Sequence, residues 1–346
     1  MRQTQTQIAL IMKYDISLKN IKKAIGNPAR AIDEVALEYV YRLPVTAFNG
    51  VRTIGTNVLD MDWDVLILLD TCRIDALNEI KDEYNFLEGI GSIVSTGGAS
   101  AEWIARTFDE KHINEIRDTA YLSANGHIKQ VLDKKRQHNN NKHLTYKALR
   151  LMPSVDIEDF GKVEYLFTYE RWGEEGPYGH TEGMTPPRYV TDRAIQVGRN
   201  KTYERLILHY FQPHSPWVAN ALESGRKLEN YENDWWGYLT ETGDVETVWQ
   251  SYLDDLRYVL DDVEILLDNI NAETIIISAD HGEAFGEYGI LGHKIGSLHP
   301  RVRRVPWVVT SAEDTYSYTP TVDRSEASGM SREELDQQLE ALGYKT

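Results

Sequence analysis

Ile275-Ile276-Ile277-Ser278-Ala279-Asp280-His281-Gly282-Glu283, followed after a short connection by Gly292-His293, is the stretch whose reading decides the fold. Three successive β-branched residues favour extended backbone, because branching at Cβ suits a buried, pleated surface. The run ends in an acidic and an imidazole side chain just where the chain must turn. In open parallel sheets, sites gather outside the carboxyl ends of the strands. Asp280 and His281 are therefore expected at the centre of a metal site.

Working outward, Trp63 to Leu69 is a nearly continuous apolar run ended by Asp70. Such a run suits a strand covered on both faces. Ala76, Leu77 and Ile80 then give a modest helical signal. Upstream of Asp280, apolar residues from Val248 to Ile270 recur by three and four residues, which predicts a helix feeding the Ile275 strand. Leu206–Phe211 reads as a further strand, and shorter strands are expected within 118–124 and at Tyr165–Tyr169. Helices are expected over Ala101–Phe108 and from Ala194 to Arg205. Val305–Val309 is expected at a sheet edge, because Pro306 has no N–H to donate. The alternation predicts an α/β fold with a largely parallel central sheet.

Three regions follow from this pattern. Residues 1–50 are expected to supply N-terminal covering helices and 51–310 the catalytic domain. Residues 311–346 are expected to form a tail with a short helix from Ser331, packed on that domain. The loops within 124–190 and 217–245 are expected to shape specificity, with Gly173 to Pro187 as a rim or lid.

The 346 residues carry 54 acidic against 37 basic side chains, a formal charge of −17. That balance argues against binding nucleic acid or an anionic membrane through net field. A phosphate-type substrate would need a local positive centre, for which bound metal is the natural source. The single cysteine, Cys72, excludes an intrachain disulfide and a cysteine-rich metal site. No apolar run approaches the roughly 20 residues of a membrane span. Ile8–Met12 lacks the marks of a signal peptide. A cytoplasmic protein without a transmembrane segment is the expectation.

Asp70, Asp280 and His281 would supply two carboxylates and an imidazole, a set suited to zinc or manganese. A hydroxyl could complete it, because a metal lowers the pKa of an oxygen nucleophile. Ser100 is best placed, after Gly97-Gly98-Ala99 and before a helix whose free N–H groups favour an anion. Thr96, Ser95 and Thr71 are its competitors, and Ser100 could instead serve only as an N-cap. His214 lies between Pro213 and Pro216, and His293 follows Gly292. Either could bind an ester oxygen, protonate a leaving group or hold a weaker second metal. Arg73 and Lys294 could contact nonbridging oxygens of a substrate.

Asp64 to Asp75, the Pro213-His214-Ser215-Pro216-Trp217 loop, and Ser278 to Gly286 with Gly292-His293 together resemble the sulfatase-like branch of the alkaline phosphatase superfamily. The resemblance covers residues 60–310 and is most specific at Asp280-His281-Gly282-Glu283. It implies an alkaline-phosphatase-like α/β/α sandwich with metal on the carboxyl edge of the sheet. Asp70 matches the early metal-binding acid, Ser100 the nucleophile position, and Asp280 with His281 the late metal ligands. His214 and His293 are similar to substrate-side histidines of the phosphoryl-transferring members.

Two departures narrow that implication. Ser100 is followed by Ala101-Glu102-Trp103-Ile104 and Cys72 by Arg73-Ile74-Asp75-Ala76. Neither fits the Cys-x-Pro-x-Arg signature, so no formylglycine is expected. Asp70-Thr71 replaces the adjacent aspartates of a calcium site, which makes calcium less favoured than zinc or manganese. The expectation is one or two divalent metals and hydrolysis of phosphate or sulfate esters, with phosphoryl transfer through serine preferred. The substrate would be a small-molecule, glycan-linked or lipid-linked ester. The alternatives are a phosphoryl-headgroup transferase, a sulfatase using unmodified serine, and a catalytically silent metal- or glycan-binding protein.

Overall fold

The computed structural model describes residues 37–133, 144–149, 151–169, 178–200 and 202–322, with Glu334 and Gln337. The helices expected before Leu37 lie outside the described residues, as does the tail helix apart from those two positions. Among the described residues, one sheet is formed by β1 (Val65–Leu69), β2 (Gly91–Val94), β3 (Thr119–Ser123), β4 (Lys162–Tyr165), β5 (Arg205–Tyr210), β6 (Ala272–Ser278) and β7 (Arg304–Ala312). The strand order is β2-β7-β6-β1-β5-β3-β4. β6, β1, β5, β3 and β4 run parallel. β7 runs antiparallel to both β6 and β2.

Strand side chains alternate between two faces, and both faces are covered. Val65, Ile67, Leu69, Ile275 and Ile277 pack with residues of the helices Ile74–Ile80, Pro187–Arg199 and Val245–Leu267. Leu66, Leu68, Ile207 and Ile276 face the other way, onto Trp103 and Ile104 of the helix Ser100–Thr107 and Ile128 and Leu132 of the helix His127–Leu132. The result is the alkaline-phosphatase-like α/β/α sandwich that the sequence implied, with a mixed, mostly parallel sheet. The longest helix begins where the Asp244 side chain accepts the Thr247 N–H, a capping contact that satisfies an otherwise free donor.

Three local expectations are corrected. β7 is an interior strand, because β2 adds on its outer side and pairs Ser92 with Pro306. The Pro306 carbonyl there accepts the Ser278 hydroxyl at 2.7 Å. The strand expected at Tyr165–Tyr169 ends at Tyr165, and Leu166–Thr168 makes a 3₁₀ turn. The Thr168 hydroxyl donates to the Tyr165 carbonyl at 2.6 Å, a local bond that competes with strand pairing. The helix expected over 194–205 instead spans Pro187–Arg199. Proline is tolerated in a first helical turn, where its missing N–H has no intrahelical partner to lose.

Candidate metal centre

Three adjacent parallel strands bring the site together. Leu68 on β1 is in register with His209 on β5 and with Ser278 on β6. Asp70 and Asp280 follow the ends of β1 and β6, so both carboxylates and the His209 imidazole meet at the carboxyl edge of the sheet. All three are buried, and each offers a ligand atom within 4.8 Å of the others. His209 Nε2 lies 3.5 Å from Asp280 Oδ2 and 3.9 Å from Asp70 Oδ2. His281 Nε2 lies 3.5 Å from Asp280 Oδ2 and 3.6 Å from Asp70 Oδ1. The turn after β1 is held tightly: Thr71 adopts φ 66°, and Tyr252 of the long helix donates its hydroxyl to the Thr71 carbonyl at 2.9 Å. A β-branched residue at positive φ is a strained position, of the kind that collects at functional sites.

The donor set fits a divalent cation. Asp70 Oδ1, His209 Nε2 and Asp280 Oδ2 are buried and have no hydrogen-bond partner. Unpaired buried polar atoms are costly, and three of them on residues whose ligand atoms cluster within 4.8 Å call for a compensating group. Ligands at zinc bond lengths on a tetrahedron stand about 3.3 Å apart, close to the separations observed. The Nδ1 of His281 lies 3.0 Å from the Gly282 carbonyl and so must carry the proton. That leaves the His281 Nε2 lone pair facing the cluster. The Nδ1 of His209 lies 2.7 Å from the Tyr121 hydroxyl, a contact able to orient that ring in the same way. Burial, then the Asp280 charge, push the Asp70 carboxyl well above its usual range. Burial also works to raise Asp280, but His281 and His209 outweigh it and hold that carboxyl low. A cation between the two acids would relieve this repulsion.

Ser100 borders the cluster. Its position is the first residue of the helix, Ala99 occupies the cap position, and no side chain caps that end. The hydroxyl lies 3.2 Å from His281 Nε2 and 3.5 Å from Asp70 Oδ2. The serine is therefore turned towards the acids and the imidazole and not spent on capping. The four ligands expected from sequence, Asp70, Ser100, Asp280 and His281, lie together. His209 joins them and was not foreseen.

Further imidazoles line the approach. The rings of His281 and His293 are 4.3 Å apart, and those of His293 and His214 are 5.2 Å apart. His293 Nδ1 pairs with Glu283 Oε2 at 2.9 Å. Burial works against a charged His293, but Glu283 overcomes it and raises the ring's pKa. Burial, followed by the His293 charge, pushes His214 down to about 4. His127 also falls to about 4, first through burial; the charges of His293, His214 and His281 add to that. His127 thus belongs to the same electrostatic neighbourhood.

The two cations expected to meet substrate are placed differently. Arg73 is buried, with both Asp75 and Glu287 paired to its guanidinium at 2.6 and 2.7 Å and the Glu283 carbonyl at 3.1 Å. Its guanidinium stacks 4.9 Å over Trp249. These contacts hold the Glu283 loop and occupy the group that was expected to contact an ester. Lys294 lies with Nζ 5.6 Å over the Trp236 ring, next to His293.

The fold and these site features define an alkaline-phosphatase-like α/β/α protein with a buried Asp-His-Asp cluster able to coordinate a divalent metal beside a serine. The chain is structurally similar to members of the alkaline phosphatase and sulfatase superfamily. One is the soluble domain of lipooligosaccharide phosphoethanolamine transferase A from Neisseria meningitidis, at 15% identity and TM-score 0.42, covering 70% of this chain and 75% of that one. Another is the C-terminal periplasmic domain of EptC from Escherichia coli in complex with zinc, at 12% identity and TM-score 0.41, covering 75% and 76%. A third is a putative sulfatase from Bacteroides thetaiotaomicron, at 12% identity and TM-score 0.41, covering 82% and 75%. No protein-family model and no curated protein matches the chain.

The cytoplasmic expectation is corrected at this point. The similar structures include domains described as periplasmic, from Escherichia coli and Campylobacter jejuni. The single cysteine carries no information on compartment, because one thiol cannot form an intrachain disulfide anywhere. Among the described residues, no helix is long and apolar enough to cross a membrane.

Proposed function

We propose that this protein is a metal-dependent enzyme that cleaves or transfers phosphate esters through Ser100. The observation that carries the reading is the Ser100 hydroxyl, 3.2 Å from His281 Nε2 and 3.5 Å from Asp70 Oδ2, at the edge of the proposed metal ligands. Asp70, His209, Asp280 and His281 would hold the ion, and two carboxylates with two imidazoles suit zinc or manganese better than calcium. When bound, it would supply positive charge for ester oxygens and lower the pKa of a neighbouring hydroxyl.

The residues of the chain account for the remainder of the chemistry. The Ser100 Oγ attacks phosphorus, its O–P bond forms as the bond to the departing alcohol breaks, and the Ser100 proton passes to Asp70 Oδ2, the carboxylate oxygen that accepts its hydrogen bond. The free N–H groups at the start of the helix Ser100–Thr107 face the transferred group. His293, held through Nδ1 by Glu283, has Nε2 left to protonate the alcohol, with His214 beside it. Water or an acceptor alcohol then releases the phosphoryl group from Ser100. A phosphate carried on a small molecule, a glycan or a lipid would present the same reacting centre.

The test compares wild type with Ser100→Ala on generic phosphate and sulfate monoesters and diesters, across added zinc, manganese, magnesium and calcium. Loss of phosphate-ester turnover in Ser100→Ala, with the metal retained, is expected. Equal rates in the two proteins would remove Ser100 from the chemistry.

A further inference from the structure

Glu102 lies two residues beyond Ser100 in the same helix and is fully buried. Its Oε2 accepts the backbone N–H of Gly98 at 2.8 Å and that of Gly296 at 2.9 Å. Its Oε1 accepts the side-chain amide of Asn49 at 2.9 Å, and Arg303 Nη1 stands 3.6 Å from Oε2. All four partners are donors, and a carboxylate is an acceptor-only group with room for them. Gly98 belongs to the turn that delivers Ser100, and Gly296 to the loop that follows His293 and Lys294.

We infer that Glu102 is a positioning residue, which joins the Ser100 turn to the His293 loop through one shared oxygen and so fixes the nucleophile relative to the imidazole opposite. The inference rests on the proposed role of Ser100. Close backbone approach supports it. A Cβ at Gly98 would meet the Lys294 carbonyl at 2.8 Å and the Ser297 Cβ at 3.0 Å. Gly296 has φ +76°, and a Cβ there would meet Thr46 Oγ1 at 2.7 Å. Both positions need glycine for the two N–H groups to converge on one carboxylate. The Ser297 N–H donates to the Lys294 carbonyl at 3.0 Å and closes the loop on itself. Asn49 is fixed from elsewhere, since its amide donates to the Thr96 carbonyl and its oxygen accepts the Ile54 N–H, both at 2.8 Å. Because Asn49 meets only Oε1, removing it leaves both glycine N–H bonds to Oε2 in place, whereas replacing Glu102 with an apolar residue of similar length removes them.

The experiment measures amide hydrogen exchange at Gly98 and Gly296 together with steady-state kinetics. In wild type both amides should be protected and should open at the same rate; free exchange at either would overturn the bridge without any variant. Glu102→Met should accelerate both amides together and lower kcat by about 100-fold, the cost of a small misplacement of reacting groups. KM and metal stoichiometry should stay within about twofold. Glu102→Gln keeps one oxygen for the two glycines and should recover at least about a tenth of the lost rate. Asn49→Ala should lower the melting temperature and leave kcat and both amides unchanged. Wild-type kcat and protection in Glu102→Met would refute the inference. So would losses of kcat in Glu102→Met and Asn49→Ala that merely follow their losses of stability. If wild type turns over no phosphate ester, the functional reading fails, and amide exchange still decides the bridge.

Discussion

Asn125 donates its side-chain amide to Asp70 Oδ2 across 2.7 Å, from just beyond the end of β3, two strands away from the strand that carries Asp70. Its own carbonyl accepts the Ser123 hydroxyl at 3.0 Å, and its side-chain oxygen accepts the His127 N–H at 2.9 Å. The Asp70 carboxylate is thereby aimed, which leaves Oδ1 as the unpartnered oxygen that faces the cluster.

Outer partners of a ligand tune affinity by about 10–100-fold. Asn125→Ala should weaken zinc binding to chelator-stripped protein by that factor, as read by calorimetric titration, with the stoichiometry unchanged. Unaltered affinity would show that Asp70 needs no such support.

His209 is predicted to be a ligand. Anything that binds only the folded state raises apparent stability by mass action. Added zinc should therefore raise the melting temperature of wild type and leave that of His209→Ala nearly unmoved. An equal rise in both proteins would place the ion elsewhere.

Asp255 offers a pH test away from the metal centre. It is fully buried and accepts the N–H groups of Val218 and Ala219 at 2.8 and 3.2 Å, while its Oδ2 has no partner. Burial pushes its pKa up to about 7, with those two N–H bonds opposing the rise. A carboxyl raised above an unfolded value of about 3.9 binds more proton when folded, so stability falls as pH rises through that window and levels off above it. The stability of wild type minus that of Asp255→Asn should decline between pH 4 and 7, with a slope of up to about 1.4 kcal/mol per unit. Denaturant unfolding at several pH values measures this, and a flat difference would contradict the burial argument.

Much of the frame is legible in the sequence. The ends of β1 and β6 could be read because an apolar run stops abruptly at an acid. Asp70, Asp280, His281 and Ser100 stand out by that contrast or by their glycine-rich approach. His209 has no such contrast. It sits inside an apolar strand and reads as one more core position until the register of β5 against β1 and β6 is known. Asn125 and His127 need the same knowledge of strand order, because β3 reaches Asp70 only across β5. Pro306 misled in the opposite direction: a missing N–H argues for an edge, but a short partner strand outside it made β7 interior. Local chemistry shows where strands end, whereas lateral order decides which ends meet.

The most direct test is equilibrium dialysis of chelator-stripped protein against zinc and then manganese, comparing wild type with Asp280→Asn. Wild type should take up at least one ion per chain, and Asp280→Asn should bind about 100-fold more weakly, since it trades a charged ligand for a neutral one. A wild-type protein that binds neither ion, or an Asp280→Asn variant that binds as tightly as wild type, would contradict the metal centre.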